Sequence, residues 1–337
     1  MTPCHGRPVP LAEPAGPAAH LTPDRVHRRT PMRRHGPCPG CPPRQAALPT
    51  ITRENGSVMS SFRSAGPVDA TIHLGAGSAE ITVSNQGETS VEVRPSTAGN
   101  ADDIRVAEAT QVKYAGGRLT VRTPLFDLRG SVSLKVSLPQ GSRLEADVTA
   151  GHLTSTGVLG DCEVRTGTGN VRIAQGNAVR VLTQHGNIDV GRALGQVEVS
   201  AGSGHLRIDS VDGNARLTNT NGDTQVGLAA GDVEVQGTNG NITIGRAGAC
   251  VVATTSSGHV KVREVVRGTI DLRSNLGNLE IGVREGSSAH LDVHTQLGRI
   301  HNALEGLDLP DSDLNDVRIT GSTNLGDVMV QRAPSGS

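Results

Sequence analysis

The chain of 337 residues is almost without aromatic side chains, since it has no Trp, one Tyr and two Phe. A compact core of this size normally uses bulky rings, so burial must come from small aliphatic side chains packed in a regular array. The three rings, Phe62, Tyr114 and Phe126, all precede residue 150. We therefore expect neither the sugar-stacking groove of a β-helical polysaccharide lyase nor an aromatic platform for single-stranded nucleic acid in the rest of the chain.

The chain also lacks a strong net charge and long apolar runs. Its formal net charge is −1, which gives no long-range attraction to nucleic acid or anionic membrane. No apolar run approaches the ~20 residues of a membrane span. The first thirty residues contain no apolar core of a signal peptide. These features predict a cytoplasmic protein with no transmembrane segment and no nucleic-acid partner, and they leave a surface location open.

Residues 1–58 differ in composition from the remainder. They carry eight Arg, three acidic residues and twelve of the 18 prolines, so no hydrophobic period survives and the segment is expected to be a disordered tail. Translation starting at Met59 is the alternative interpretation. The pair Cys38 and Cys41 has the spacing of a redox pair or half a zinc site, and we interpret it as a chance pair because no second ligand pair follows at suitable spacing.

From residue 151 a glycine followed by a short polar residue returns at steps of 18, 17, 18, 18, 18, 18 and 19 residues. A second turn lies near the middle of each unit, and apolar residues alternate between the turns with the period of a β-strand. The sub-period of about nine residues excludes a hexapeptide helix, and the signature of calcium-binding nonapeptide rolls is absent. The sequence therefore predicts an all-β parallel β-solenoid, or β-helix, of about ten rungs of ~18 residues over residues 151–333, followed by a tail, 334–337. The leading glycines are Gly151, Gly169, Gly186, Gly204, Gly222, Gly240, Gly258 and Gly277, with a looser return at Gly298 and a clean one at Gly326.

Two further patterns belong to the rungs. Outward positions carry alternating charges, which would face each other across neighbouring rungs and penalise a slipped register. Cys162 and Cys250 occupy what we take to be inward positions, so both are expected to be buried and reduced. The charges are Glu163, Arg180, Glu198, Arg216 and Glu234 in one row and Arg172, Asp189 and Arg207 in another.

Residues 59–150 are rich in alternating strands but aperiodic. A solenoid needs an end cap to hide the open edge of its first rung, so this region is expected to be an irregular β cap or the first coils. A short helix is predicted over Ala101–Thr110.

With the repeats set out, the chain resembles the bacterial DUF4097 family of β-strand repeat proteins, catalogued as candidate adhesins. The resemblance runs from about Met59 to Ala333. Phe62–Val68 (FRSAGPV), the serial Gly-Asn and Gly-Asp turns, and Thr323–Ala333 (TNLGDVMVQRA) carry it. The ending is similar to the actinobacterial branch, whose members often lack a signal peptide. The family implies a β-helical fold and no established activity.

The sequence contains few candidate metal-ligating or catalytic residues. His152, His205 and His259 share one turn position but lie three rungs apart, so they cannot share an ion, and we interpret them as equivalents of the turn Asn residues. His290 and His294 lie on one strand face, and His301, one rung on, could approach one of them; a metal there is the weaker hypothesis.

The unit after Gly298 is about ten residues too long, and the excess is Leu304–Asn315. Asp311, Asp313, Asn315 and Asp316 resemble the start of a calcium loop, although Asp316 stands where the loop needs glycine and Ser322 where it needs glutamate. We interpret the segment as a solvated acidic loop and assign no metal site, and these four residues are the candidates for the weaker hypothesis of calcium binding. The insertion is still the place where specific binding is most expected, because it projects from the regular surface.

The sequence thus favours a non-enzymatic scaffold or interaction protein, adhesin-like, that presents a polar face to a protein partner or to itself, with no cofactor and no catalytic residue. A carbohydrate- or cell-envelope-binding module is the alternative function, and calcium-dependent assembly through Asp311–Asp316 is a third. Glycan binding would favour the carbohydrate- or envelope-binding module, and stabilisation by calcium would favour calcium-dependent assembly.

Overall fold

The computed structural model describes residues 50–54, 57–85, 87–124, 129–304 and 316–334. Strands fill most of this part of the chain, and its one helix is α1. No helix in these residues is long and apolar enough to cross a membrane.

The N-terminal part combines eight strands with the helix. In chain order these are β1 (Thr50–Glu54), β2 (Ser57–Arg63), β3 (Asp69–Ser84), β4 (Glu88–Pro95), α1 (Ala101–Ala109), β5 (Gln111–Ala115), β6 (Arg118–Arg122), β7 (Val132–Pro139) and β8 (Arg143–Val158). The predicted helix is confirmed, one residue shorter than expected.

The repeats contribute two strands per rung. They are β9 (Cys162–Thr168), β10 (Val171–Gly176), β11 (Val179–His185), β12 (Ile188–Ala193), β13 (Val197–Ser203), β14 (Leu206–Val211), β15 (Ala215–Asn221), β16 (Thr224–Ala229), β17 (Val233–Asn239), β18 (Ile242–Ala247), β19 (Val251–Ser257), β20 (Val260–Val265), β21 (Gly268–Leu276), β22 (Leu279–Val283), β23 (Ser288–Leu297), β24 (Ile300–Asn302), β25 (Asp316–Leu325) and β26 (Val328–Arg332).

Odd-numbered strands from β9 onward stack in parallel on one side of the coil, face A, and even-numbered strands from β10 onward stack on the other, face B. The long strands β3 and β8 run through both faces and pair with each other in parallel. The predicted parallel β-solenoid is confirmed.

The interior is a lattice of small aliphatic side chains. Alternate residues point inward, and neighbouring rungs place like residues opposite each other: Val171 pairs with Ile188 and Ile173 with Val190. These four side chains are at most 1% exposed. Each such burial contributes about 1.5–3 kcal/mol, so the stack is stable without aromatic rings.

The turn after each face A strand requires glycine. At Gly222 φ is +130°, and an added Cβ would overlap the carbonyl oxygen of Gly204 in the preceding rung. Both the left-handed backbone and the close approach of neighbouring rungs exclude a side chain here, which explains the glycine period.

The N-terminal end of the coil is covered. Helix α1 begins at Asn100, whose side chain accepts hydrogen bonds from the backbone of Asp102 and Asp103, and it buries Val106 and Ala107 against the sheet. Phe62 on β2 stacks on Tyr114 on β5, with ring centroids 4.9 Å apart.

The rungs at the C-terminal end do not follow chain order. Strand β25 lies between β21 and β23, and β26 lies between β22 and β24. The strands Ser288–Asn302 are therefore the outermost rung, and the later segment Asp316–Arg332 is inserted beneath it. The sequence period does not predict this exchange.

Candidate functional site

The histidines at the rung corners belong to a hydrogen-bond ladder. At most corners the residue after the turn glycine accepts, through its side chain, the backbone N–H of the equivalent residue in the next rung. Asn187 Oδ1 accepts from His205 N at 2.9 Å, and His259 Nδ1 accepts from Asn278 N at 2.9 Å. His152 Nδ1 does the same for Asn170 N at 3.2 Å. The interpretation as equivalents of turn Asn residues is confirmed for His152 and His259, whereas His205 Nδ1 lies 3.9 Å from the carboxylate oxygen Oδ2 of Asp223.

The two cysteines of the repeats differ from each other. Cys162 is buried and free as predicted, and burial, with a smaller contribution from the charge of Asp161, raises the pKa of its thiol to about 12. The prediction for Cys250 is wrong. It is disulfide-bonded, and it is only half-buried because it precedes β19, in which Val251 and Ala253 are the inward residues.

The metal hypotheses receive no support from geometry. His290 Nε2 lies 3.7 Å from Asp316 Oδ1, which is an ion-pair distance and not a coordination shell. Over the described ranges no group of three or more His, Cys, Asp or Glu side chains could hold an ion. Asp311, Asp313 and Asn315 lie outside the described residues, so calcium binding by that loop stays a prediction.

The predicted charge rows are confirmed as cross-rung neighbours. Arg180 lies opposite Glu163 on one side and Glu198 on the other, and its hydrogen bond to Glu198, at 3.0 Å, raises the pKa of the guanidinium. In the second row Arg172 pairs with Asp189 at 3.2 Å. The paired charges within these two rows therefore neutralise each other.

A groove along face B differs from these charge rows, because its charges are not fully paired. It crosses the rungs where β12, β14, β16 and β18 end, and its cavity volume is about 650 Å³. Its floor is apolar, since Val211 and Ala229 lie beneath it, and the Leu228 side chain stands 55% exposed. We call it the corner groove; it is lined by Arg192, Ser210, Asp212, Leu228, Arg246 and Arg267 among others.

The charges of the corner groove are only partly balanced. Arg192 binds Asp212 at 2.9 Å, whereas Arg246 approaches Glu264 only to 3.7 Å. Arg267 donates to the backbone carbonyl of Gly248 at 3.2 Å and has no carboxylate partner among the residues that the structure describes. The groove thus combines an exposed aliphatic side chain with an excess of positive charge.

Sequence reasoning missed this groove. The sequence signal for the groove was one outward position that recurs in four successive rungs. Its residues are Arg192, Ser210, Leu228 and Arg246, so one exposed leucine stands among polar side chains. A single outward leucine is common on protein surfaces, so it gave no warning by itself.

Stacked two-strand rungs, an aliphatic interior and a helix at one end define the chain as a parallel β-solenoid. A family model described as Toastrack DUF4097 matches residues 69–331, well over half of the chain. The protein therefore belongs to the DUF4097 family, as the resemblance indicated.

The solved structures that are similar to the chain are distant from it in sequence. A candidate lipid-binding protein from Parabacteroides distasonis is 14% identical, with a TM-score of 0.45 over 66% of this chain and 96% of that one. Candidate adhesins from Parabacteroides merdae (12%, TM-score 0.40, 66% and 95%) and Bacteroides fragilis (11%, TM-score 0.32, 81% and 96%) also match. No curated protein matches the sequence. Similarity this low says nothing about what the chain binds, and the expected cytoplasmic location stays a prediction.

Proposed function

We propose that the protein is a non-enzymatic β-solenoid scaffold that binds an extended, acidic segment of a protein partner in the corner groove. The observation that supports this function is the groove itself, in which Leu228 projects between Arg192 and Arg246.

The dimensions of the corner groove suit an extended chain. It crosses four rungs, which at about 4.8 Å per rung corresponds to roughly 15–20 Å, or about five residues of extended peptide at ~3.3 Å each. Leu228 would contact an aliphatic side chain of the partner, and Arg246 and Arg267, which lie in later rungs, would pair with carboxylates further along the segment. Arginine suits this role because its planar guanidinium binds carboxylates through two parallel hydrogen bonds.

A carbohydrate ligand fits the corner groove less well. Sugar sites commonly offer an aromatic ring for stacking, and the three rings of the chain all precede the rungs that form the groove. The carbohydrate- or envelope-binding alternative is therefore retained only as an outcome of the binding experiment.

The test uses a fluorescein-labelled peptide of alternating Glu and Leu and measures fluorescence anisotropy with the full chain. We expect saturable binding that weakens with salt, since the pairing charges lie at the surface. Arg246→Glu should raise the Kd by at least about tenfold, the effect of reversing a charge in a charge-complementary site. Arg207→Glu is the matched control, because Arg207 is an outward arginine on the same face, outside the corner groove, and pairs with Asp209.

Two results would contradict the proposal. Equal binding of a peptide of alternating Lys and Leu would show that the positive charge of the groove is irrelevant. Saturable binding to a polysaccharide array that Arg246→Glu abolishes would instead assign the groove to a glycan.

A further inference from the structure

The two ends of the solenoid differ. Helix α1 and the stacked rings of Phe62 and Tyr114 cover the N-terminal end. At the other end β23 pairs only with β25, and β24 only with β26, among the strands that the structure describes. Both outermost strands therefore present one unpaired backbone edge, which is a template for pairing with another strand.

The interior is also open at this end. Ala289, Leu291 and Val293 are in register with the buried β25 residues and yet only half-buried. Ile300 lies opposite the fully buried Val328 and is itself 47% exposed. These inward positions would be buried by one more rung, and among the described residues no further strand covers the apolar core at this end.

The outward side chains of β23 are complementary in charge to those of a second copy of the same strand. They are His290, Asp292, His294 and Gln296. In an antiparallel pair about a two-fold axis, residues directly opposite each other face the same side. Placing Val293 on the axis puts Asp292 opposite His294 of the other copy, twice by symmetry, and leaves His290 beside its own Asp316. The register with Asp292 on the axis would instead set Asp292 against itself and His290 against His294.

We infer that the protein forms a closed, end-to-end dimer in which β23 pairs antiparallel with β23 of a second copy about Val293. The pairing continues face A from one molecule into the other, with both interiors on the same side of the sheet. Because the contact is two-fold and uses the same edge of β23 in both copies, it leaves no such edge free for a third copy, and the assembly stops at two. This surface lies at the end of the coil and is separate from the corner groove.

The test is sedimentation equilibrium of the full chain over about 1–100 µM, a range that detects a Kd in the micromolar region. Asp292→Lys would set a lysine against His294 of the partner copy, so we expect the Kd of the dimer to rise by at least about tenfold. The double variant Asp292→Lys with His294→Glu restores opposite charges and should recover the dimer. Both side chains are exposed, so neither change disturbs the core.

The controls separate this inference from the proposed function. Gln236→Lys alters an outward position in the same column as His294, on an inner rung, and should leave the dimer intact. Leu228→Glu should weaken peptide binding in the corner groove without changing the mass. A wild-type chain that stays monomeric, or an Asp292→Lys variant that dimerises as well as the wild type, would overturn the dimer.

Discussion

Replacing His259 with alanine tests whether the corner histidines act only as hydrogen-bond acceptors. The variant removes the acceptor for Asn278 N, which lies 2.9 Å from His259 Nδ1. Both residues are exposed, so water replaces part of the lost hydrogen bond, and the net cost should fall at about 0.5–1 kcal/mol. His259→Asn keeps a side-chain acceptor for Asn278 N and should cost almost nothing. Asparagine already fills this role in the preceding rung, where Asn241 Oδ1 accepts from the backbone N–H of residue 259.

The effect can be doubled by changing His152 in the same way. His152 lies six rungs away with no shared partner, so the two costs should add. With a urea dependence of about 3 kcal/mol per molar, His152→Ala with His259→Ala should lower the unfolding midpoint by about 0.3–0.7 M, and the double asparagine variant should not. His185→Ala is the control, since that outward side chain makes no hydrogen bond within the described residues. A loss as large for asparagine as for alanine would refute the acceptor role.

Three further perturbations test the interior and the charge rows. Thr183→Val should leave the free energy of unfolding unchanged or raise it, because the buried hydroxyl has no hydrogen-bond partner within the part of the chain that the structure describes. Thr323→Val removes a 2.9 Å hydrogen bond to the carbonyl of Gly277 and should cost about 1–2 kcal/mol in urea titrations. Arg180→Glu places three like charges in one row, so the melting temperature should fall, and less so in 1 M salt, where the Debye length is ~3 Å. The native state holds the Cys162 proton more tightly than the unfolded chain does, so stability should be full below the unfolded thiol pKa and decrease as pH rises from there towards about 12. Cys162→Val should remove that slope in alkaline unfolding curves; an unchanged slope would contradict it.

The rung architecture was predictable because each local signal has a physical cause that acts in every rung. Glycine at the turn is required by backbone conformation and by the close approach of neighbouring rungs, and alternation is required by the two faces of a strand. The charge rows followed in the same way, since residues such as Arg180 and Glu198 must meet when the period is constant.

Register within a rung was less certain where both inward and outward residues are apolar. In the sequence Ala249-Cys250-Val251-Val252 the alternation fits two frames, and we placed Cys250 and Val252 inward. The structure places Val251 inward and leaves Val252 39% exposed, because Val251 pairs with Val233. Glu234 lies opposite Val252, which is uncharged, so no ion pair between the two rungs indicated which residues of this strand point outward. The corner groove escaped prediction for a related reason, since its character depends on side chains from several rungs at once.

The exchange of the last two rungs agrees with the corner ladder. At most corners the residue after the turn glycine offers a side-chain acceptor to the next rung, and Arg299 has only donors. If Asp327 followed Arg299 in the stack, its backbone N–H would meet no acceptor. In the structure Asp327 N donates to Asn278 Oδ1 at 2.9 Å, and Asp327 Oδ1 accepts from Arg299 N at 2.8 Å.

Arginine is therefore suited to the terminal position, where nothing needs to be accepted. The same order buries the better apolar rung, because Ile319 and Val330 are fully buried while Leu291 stays half-exposed at the end. The chain must then return from Asn302 on the outermost rung to Asp316 beneath it, and this gives residues 303–315 a topological reason to exceed the length of an ordinary turn. The length of the insertion is thus accounted for without a ligand, and calcium binding by Asp311, Asp313, Asn315 and Asp316 has to be judged from metal titration alone.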